Sequence, residues 1–520
     1  MDTPPHVTLT PAQNAAGESP PAVKAAVGII GGGLAGLAAG CALSQAGYKV
    51  TVFERRPYLG GRASSYVHPG TGEVIDNCQH VLLGCCTNLL SLYRRLGVEK
   101  RIRWYDRLTY IEPGGRRGTL EPSGLPAPLH ALPAFFSFPL LCWRDKLSIA
   151  MGMLSLVEGV PVDDGGSFLE WLKRHGQTER AVSRFWSPVL VSALNEELGN
   201  VSIHYGAMVF RDAFLKSAQA GRMGLPSVPL SELYGVAADY LGERGGEVVL
   251  RASVESLGTT KRSAWVTVRG NASSAWHDGG GLSAGSGSAQ PAVTALAGER
   301  REFDYLISAV PFQALAKLMP LAMQSDALRE DLAQLRTSPI TGIHFWFDRE
   351  VTELDHAVLL DRTIQWMFQK SKILEGQARA ADAPPAGSYL ELVVSSSKTL
   401  VEKSRQEVLE LALKELGEFF PAVKTARVVK STVIKEIHAT FSPSPGADRY
   451  RPRQQGPWPR IFLSGDWTAT GWPATMEGAV RAGYAAAEAL TAAHGEAEHF
   501  LVPDLAAQGW MRLFESRSGV

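Results

Sequence analysis

Three glycines and an acidic residue near the start of the chain have the spacing needed to hold a dinucleotide. Gly31, Gly33 and Gly36 fit G-x-G-x-x-G directly after the apolar run 27–30. In that pattern the first glycine permits a tight turn, the second lets a pyrophosphate approach the backbone, and the third lets helix pack on strand. Glu54 closes a second apolar run, 48–53, where a carboxylate can bind a pair of ribose hydroxyls. Arg56 follows it closely, and Gly60, Gly61 and Arg62 begin a second glycine pair six residues past the acid.

Particular elements must position these residues. The run 27–30 is short, β-branched and closed by glycine, so it reads as a buried strand. A helix is expected through 37–45, stopping near Gly47, with 48–53 as the second strand. The extra glycine pair points to a flavin, whose pyrophosphate and ribityl chain need further close backbone approach. A distant segment agrees. The apolar strand 461–463 leads into Gly465 and Asp466, and a helix is expected from Thr475 and Met476 through Leu490. A carboxylate after a strand can hold ribityl hydroxyls, and a helix N-terminus aimed at the ring would stabilise the charge of its reduced form. FAD is therefore the expected cofactor, with Val254, in the β-rich stretch 242–268, against its adenine.

The 520 residues carry 52 Lys and Arg against 52 Asp and Glu, a formal net charge of zero, with 45% hydrophobic and 20% charged residues. That balance fits a soluble globular enzyme and gives no electrostatic reason to expect nucleic acid. Cys41, Cys78, Cys85, Cys86 and Cys142 form no C-x-x-C, which argues against a dithiol reductase or a zinc ribbon, and no metal is expected. Their odd number favours a reducing, cytoplasmic setting. With one G-x-G-x-x-G there is no second nicotinamide domain, so reducing equivalents must come from a separate electron donor. No run of about twenty uncharged apolar residues occurs, and no transmembrane helix is expected. The apolar stretch 125–160 reads as buried cap helices, although such a lid could also rest peripherally on the inner membrane face and receive a lipid.

The expected fold class is α/β, a Rossmann-like FAD-binding domain with a discontinuous α+β substrate domain made of a mixed sheet and a helical cap. The FAD-binding domain is expected over 25–104, 236–325 and 455–495, and the substrate domain over 105–235 and 326–454. Residues 1–24 read as a disordered tail, 496–520 as a C-terminal tail and the Gly/Ser-rich 271–290 as a loose loop. Runs 341–347, 364–368, 389–395 and 426–437 read as strands of the second sheet, and 145–240 and 403–418 as helical.

GGGLAG, Glu54, GGR and the C-terminal GDW…MEGA together resemble the amine oxidase and phytoene desaturase superfamily of FAD enzymes. Four further stretches are similar to the hydroxysqualene dehydroxylases of hopanoid synthesis, also called squalene-associated FAD-dependent desaturases. They are IDNCQHVLLGC (75–85), RFWSPVLVSALNEE (184–197), DRTIQWMFQK (361–370) and GDWTATGWPATMEGAVRAG (465–483). The resemblance spans about 26 to 490 and departs at Cys78, where glycine is expected. It implies reductive removal of the hydroxyl of hydroxysqualene to give squalene, with hydride passing from reduced flavin N5 to the allylic carbon. A general acid would assist the departing hydroxide, and a C30 isoprenoid substrate would need a long apolar tunnel. LPAFFSFPLLCW, Phe185-Trp186, Phe345-Trp346-Phe347 and Trp366-Met367-Phe368 are the candidate walls. By the same analogy Asp76, Asn77, Gln79 and His80 return toward the flavin, and His80 could titrate near neutral pH and donate a proton. Asn195-Glu196-Glu197 and the strand residues Glu436 and His438 are further candidates. The alternative is an oxidative polyene desaturase of the carotenoid type, or an amine oxidase, using the same flavin in the opposite direction.

Overall fold

Short β-branched runs between glycines build the centre of the molecule, as their residue types demand. The computed structural model describes residues 23–274, 294–320, 325–374 and 387–515. Ala26–Ile30, buried beyond its first residue, is an inner strand of a seven-stranded sheet. In spatial order the sheet runs Thr294–Phe303, Ala264–Ser274, Glu247–Thr259, Lys49–Glu54, Ala26–Ile30, Tyr305–Ser308, Ile461–Leu463. The last five are parallel, and the first two fold back from Glu247–Thr259 as an antiparallel meander. Helix Leu34–Gln45 is buried at every residue but Gln45. Its small and apolar residues let it pack on all sides, against the sheet, helix Leu230–Gly242 and helix Met476–His494. Gly483 makes the last of these contacts close, because a Cβ there would stand 2.3 Å from the Ala35 carbonyl oxygen.

The second sheet also has seven strands, in the order Val428–Phe441, Thr337–Phe347, Ser388–Ser395, Trp366–Gln369, His356–Leu359, Leu108–Ile111, Arg117–Leu120. Its neighbours are antiparallel except His356–Leu359 beside Leu108–Ile111, so the sheet is mixed as expected. Helix Arg405–Phe419 covers one face. A helical cap over 132–215 surrounds an aromatic core in which Trp186 and Phe210 meet edge to face at 4.5 Å. Two wide π turns, Val182–Trp186 and Arg211–Leu215, interrupt the cap helices, a device frequent at functional sites.

Several expectations need adjustment. Strand Met223–Pro226 pairs with Leu82–Leu83 and Ile102–Tyr105, and helix Leu230–Gly242 joins the nucleotide-side core. The chain is thus back against the first unit ahead of the expected boundary at 236. The described part of the expected C-terminal tail, 496–515, packs on the rest of the chain. Val502 N donates to Asn88 Oδ1 at 2.8 Å, and Ala507 and Met511 belong to the cap core. Cap segment 125–160 is buried on its inner side alone; Phe136, Trp143, Leu147, Met151 and Leu154 are exposed. Of the expected tail, residues 1–22 lie outside the described residues. So do residues 275–290 of the expected loop, while Ala264–Ser274 continues as strand.

The fit of Gly483 against Ala35 gives a test of the core. Gly483→Val should lower stability by about 2–3 kcal/mol, since backbone on the neighbouring helix has no rotamer to yield. Thermal denaturation of the variant at the wild-type midpoint would contradict this packing.

Candidate active site

The first turn of helix Leu34–Gln45 opens into a cavity of about 670 Å³ that runs from the glycine loops to the cap and the second sheet. Gly31 has φ +106°, and Gly36 lies so near that a Cβ would come 2.0 Å from the Gly31 carbonyl oxygen. Gly33 caps the helix with no side-chain bond and faces the cavity. A Cβ there would meet nothing nearer than Gly61 Cα at 3.7 Å. That is the open backbone and uncapped helix start that a pyrophosphate requires. Glu54 accepts the Gly32 and Arg56 backbone N–H groups, each at 2.8 Å, which aims its carboxylate along the cavity wall. Arg56 Nη1 donates to Gly61 O at 2.9 Å and Gly60 N to Gly32 O at 2.9 Å, so the second glycine pair is laced to the first. Gly60 and Gly61 have φ +103° and +63°. Val254 lines the same end of the cavity.

Arg62 connects the cradle to the C-terminal motif. Its Nη2 meets Asp466 Oδ1 at 2.5 Å and its Nη1 donates to Ala439 O at 2.8 Å. One Asp466 oxygen is thereby occupied, and the carboxylate still faces the cavity. Thr475 caps helix Met476–His494 by accepting Gly478 N at 3.0 Å, and both Thr475 and Met476 line the cavity. Glu477 was not anticipated. It is fully buried and accepts Asn88 N, Asn88 Nδ2, Leu89 N and Arg481 Nε, locking this helix to the start of Thr87–Arg95.

Asn77, Gln79 and His80 come together on one wall, but they differ in what they have free. Asn77 is spent on the glycine loop, its Nδ2 donating to Arg62 O at 2.6 Å and its Oδ1 accepting Ser64 N at 3.3 Å. Gln79 is spent on His80 O and on Lys370 Nζ, at 2.9 and 2.7 Å. His80 Nδ1 lies 2.7 Å from Cys78 O, an acceptor, so Nδ1 carries the hydrogen and Nε2 of the neutral ring keeps its lone pair. Burial lowers the pKa of His80 although its bond to Cys78 O opposes this. In this neutral tautomer Nε2 is the ring atom that can exchange a proton. Cys78 is buried and does not have positive φ, so the departure from glycine costs no backbone strain there.

Behind this wall Asp76, a candidate from the sequence, belongs to a charge cluster whose other members, Lys370 and Glu391, the sequence did not single out. Lys370 Nζ donates to Asp76 Oδ2 at 2.6 Å and stands 3.6 Å from Glu391, with all three side chains buried. Burial alone would push Asp76 up, but the Lys370 ammonium and the Ser65 hydroxyl hold it below its ordinary value. Burial pushes Glu391 up to about 8 against the pull of Lys370, so the cluster is close to neutral. A signal existed: Glu391 interrupts the otherwise uncharged strand Ser388–Ser395.

Other expectations divide. Trp366 and Phe368, stacked at 5.5 Å, line the cavity, and Trp366 Nε1 donates to Ser192 Oγ at 2.6 Å. Phe185 and Trp186 pack in the cap core, and Phe345 and Phe347 in the sheet core, so they are not cavity walls. The walls are completed instead by Tyr110, Val189, Met208, Phe214 and Ile340. Asn195 has φ +53° and uses its amide on Ser338 O, Thr440 Oγ1 and Ser396 N. Glu196 is buried against Lys398 and Ser442, whereas Glu197 is exposed. Glu436 lines the cavity, while exposed His438 bonds Thr337 Oγ1 at 2.8 Å. Among the described residues no group of His, Cys, Asp and Glu has the form of a metal site.

Known proteins place this architecture. The family model of flavin containing amine oxidoreductases matches residues 34–491, and the chain belongs to that family. FAD is its cofactor, and the open glycine loops fit that assignment. The chain is 28% identical to a probable zeta-carotene desaturase of Synechococcus elongatus over 494 residues, covering 89% of this chain and 98% of the relative. It is 27% identical to a 15-cis-phytoene desaturase of the same organism, covering 90% and 96%. Among solved structures, a putrescine oxidase variant superposes with a TM-score of 0.66 at 18% identity, over 90% of this chain and 99% of that one.

Two outcomes follow. Gly61→Ala, at positive φ and with a Cβ 2.9 Å from Gly33 Cα, should cost at least about tenfold in FAD affinity, read by the flavin absorbance of the purified protein. Glu391 keeps a proton in the fold from an unfolded pKa of about 4.3 up to about 8, so its contribution makes stability fall as pH rises through that window. Glu391→Gln should remove this dependence, whose slope is at most about 1.4 kcal/mol per pH unit. Denaturant titrations with the same pH profile for both proteins would contradict it.

Proposed function

We propose that the chain is an FAD-dependent desaturase of a long isoprenoid polyene, of the carotenoid type. The observation that carries this reading is the similarity, over nine-tenths of the chain, to enzymes named for carotene and phytoene desaturation. An apolar cavity continuous with the glycine cradle supports it, since a hydrocarbon chain needs walls such as Trp366, Phe368, Tyr110 and Met208. When bound, FAD supplies uptake or return of a hydride. For desaturation the chain must add a proton acceptor beside the reacting carbons, and bare Nε2 of His80 suits that role. The stacked Trp366 and Phe368 hold an extended apolar chain and exclude water from it. The electron partner is a separate acceptor.

A second reading has its own support. Motifs 75–85, 184–197, 361–370 and 465–483 resemble hydroxysqualene dehydroxylases, which would run the cavity reductively on a C30 isoprenoid alcohol in hopanoid synthesis. That direction needs a proton donor for the departing hydroxyl, and the neutral His80 is a weaker candidate for donation than for acceptance. In either reading the substrate is an isoprenoid.

One paired assay decides. Oxidised holoenzyme with a phytoene-like polyene and a quinone should form a longer chromophore, and amines should release no peroxide. Formation of squalene from hydroxysqualene by the reduced enzyme, with no polyene product, would replace the first reading by the second. His80→Gln should lower kcat by at least about 10²-fold while flavin content stays at the wild-type level.

A further inference from the structure

The loop between strand Ile461–Leu463 and helix Met476–His494 lines the cavity with Asp466, Trp467 and Trp472, and its backbone carbonyls turn away from the cavity toward one cation. Arg451, buried, directs Nη2 at the carbonyl oxygens of Asp466, Thr468 and Trp472, at 2.9, 2.5 and 2.9 Å, and at Thr470 Oγ1 at 3.0 Å. Two N–H groups thus serve four oxygens, so the positive charge gathers the loop as much as any single bond does. Ala469 N closes the loop on the same stretch by donating to Pro452 O at 2.9 Å. The Phe441 ring covers the guanidinium at 4.8 Å.

The other nitrogen of the fork belongs to the cap. Nη1 donates to the Tyr205 hydroxyl oxygen and, at 2.8 Å, to Asp448 Oδ1, and the Tyr205 hydroxyl donates to the same carboxylate at 2.6 Å. Tyr205 is buried in helix Ile203–Phe210, whose Met208 and Val209 line the cavity. Arg451 does not itself line the cavity. Asp466 and Trp472 do so while their carbonyls touch the guanidinium, so the thickness of one residue separates the charge from the cofactor space.

We propose that Arg451 is a positioning residue for the flavin. By collecting the carbonyls of Asp466, Thr468 and Trp472 it fixes how the Asp466 carboxylate and the helix start at Thr475 are presented to the cofactor. Its charge also favours the reduced, anionic form of a flavin held beside the loop. Loss of the guanidinium takes the donor from buried carbonyls, and the loop must then rearrange. Lysine keeps the charge but lacks the planar fork that reaches the loop and Tyr205 together. The proposal rests on FAD as the cofactor and does not depend on the identity of the substrate.

The test compares full-length, FAD-loaded wild type with Arg451→Met, Arg451→Lys and Tyr205→Phe. Affinity is read from flavin released on serial dilution, and reduction of the bound flavin by equilibration with a dye of known potential. Arg451→Met should hold FAD at least about tenfold more weakly. At the potential that half-reduces the wild type, its bound flavin should show a ratio of reduced to oxidised form at least about threefold lower. Arg451→Lys should return that ratio to within about twofold of wild type while its FAD affinity stays lower. Tyr205→Phe loses a cap contact alone and should match the wild type within about twofold in both measurements. Wild-type affinity and ratio in Arg451→Met, or wild-type affinity in Arg451→Lys where the Met variant does not fold, would overturn the proposal. So would a loss in Tyr205→Phe as large as that in Arg451→Met. A fall in melting temperature with both flavin readouts unchanged would mark an arginine that only joins cap and loop, and would overturn it too.

Discussion

The ammonium of Lys370, buried between Asp76 and Glu391, is the contact on which the site depends. Lys370 follows a strand of the second sheet, and Asp76 ends the ribbon that leaves the glycine cradle. Their 2.6 Å bond joins the nucleotide-binding unit to the sheet that walls the cavity. An ammonium held inside a protein must be paired or lose its proton, and removing one partner of such a pair typically costs about 3–5 kcal/mol. Because Lys370 also holds Gln79, the same charge orients the wall that carries His80. Arg62 makes the matching tie on the other side, to Asp466.

These two ties explain how a flavin cradle and an apolar cavity become one space. The sheets meet through the segment 60–80, which is fixed at Gly60 and Gly61 by backbone contact and at Asp76 by charge. Asn77 and Gln79 are occupied by that architecture, and His80, its Nδ1 bound to Cys78 O, lines the cavity beside them. Burial lowers its pKa and so keeps the ring neutral at neutral pH. The chemistry thus follows from which polar groups the fold has already satisfied.

The cradle was legible in the sequence because steric exclusion leaves a mark in residue type. Where a Cβ would lie 2.0 Å from Gly31 O, Gly36 has no substitute, and the same logic exposed Gly60 and Gly61. The Lys370 cluster was not legible, since Asp76 and Lys370 are 294 residues apart and neither residue names its partner. Aromatic runs failed for another reason. Strand Thr337–Phe347 and strand Trp366–Gln369 are both largely buried, so alternation did not separate the core-packed Phe345 from the cavity-facing Phe368. The cap helix shows the converse, because an apolar segment has the same composition whether its outer face is covered or bare.

The most direct test of one continuous flavin and substrate space is a crystal structure of the FAD-loaded enzyme with a bound polyene. The account predicts a chain lying between Trp366 and Phe368 and the isoalloxazine ring, with His80 Nε2 facing the reacting carbons. A polyene bound elsewhere, or a closed wall between the ring and the chain, would contradict it.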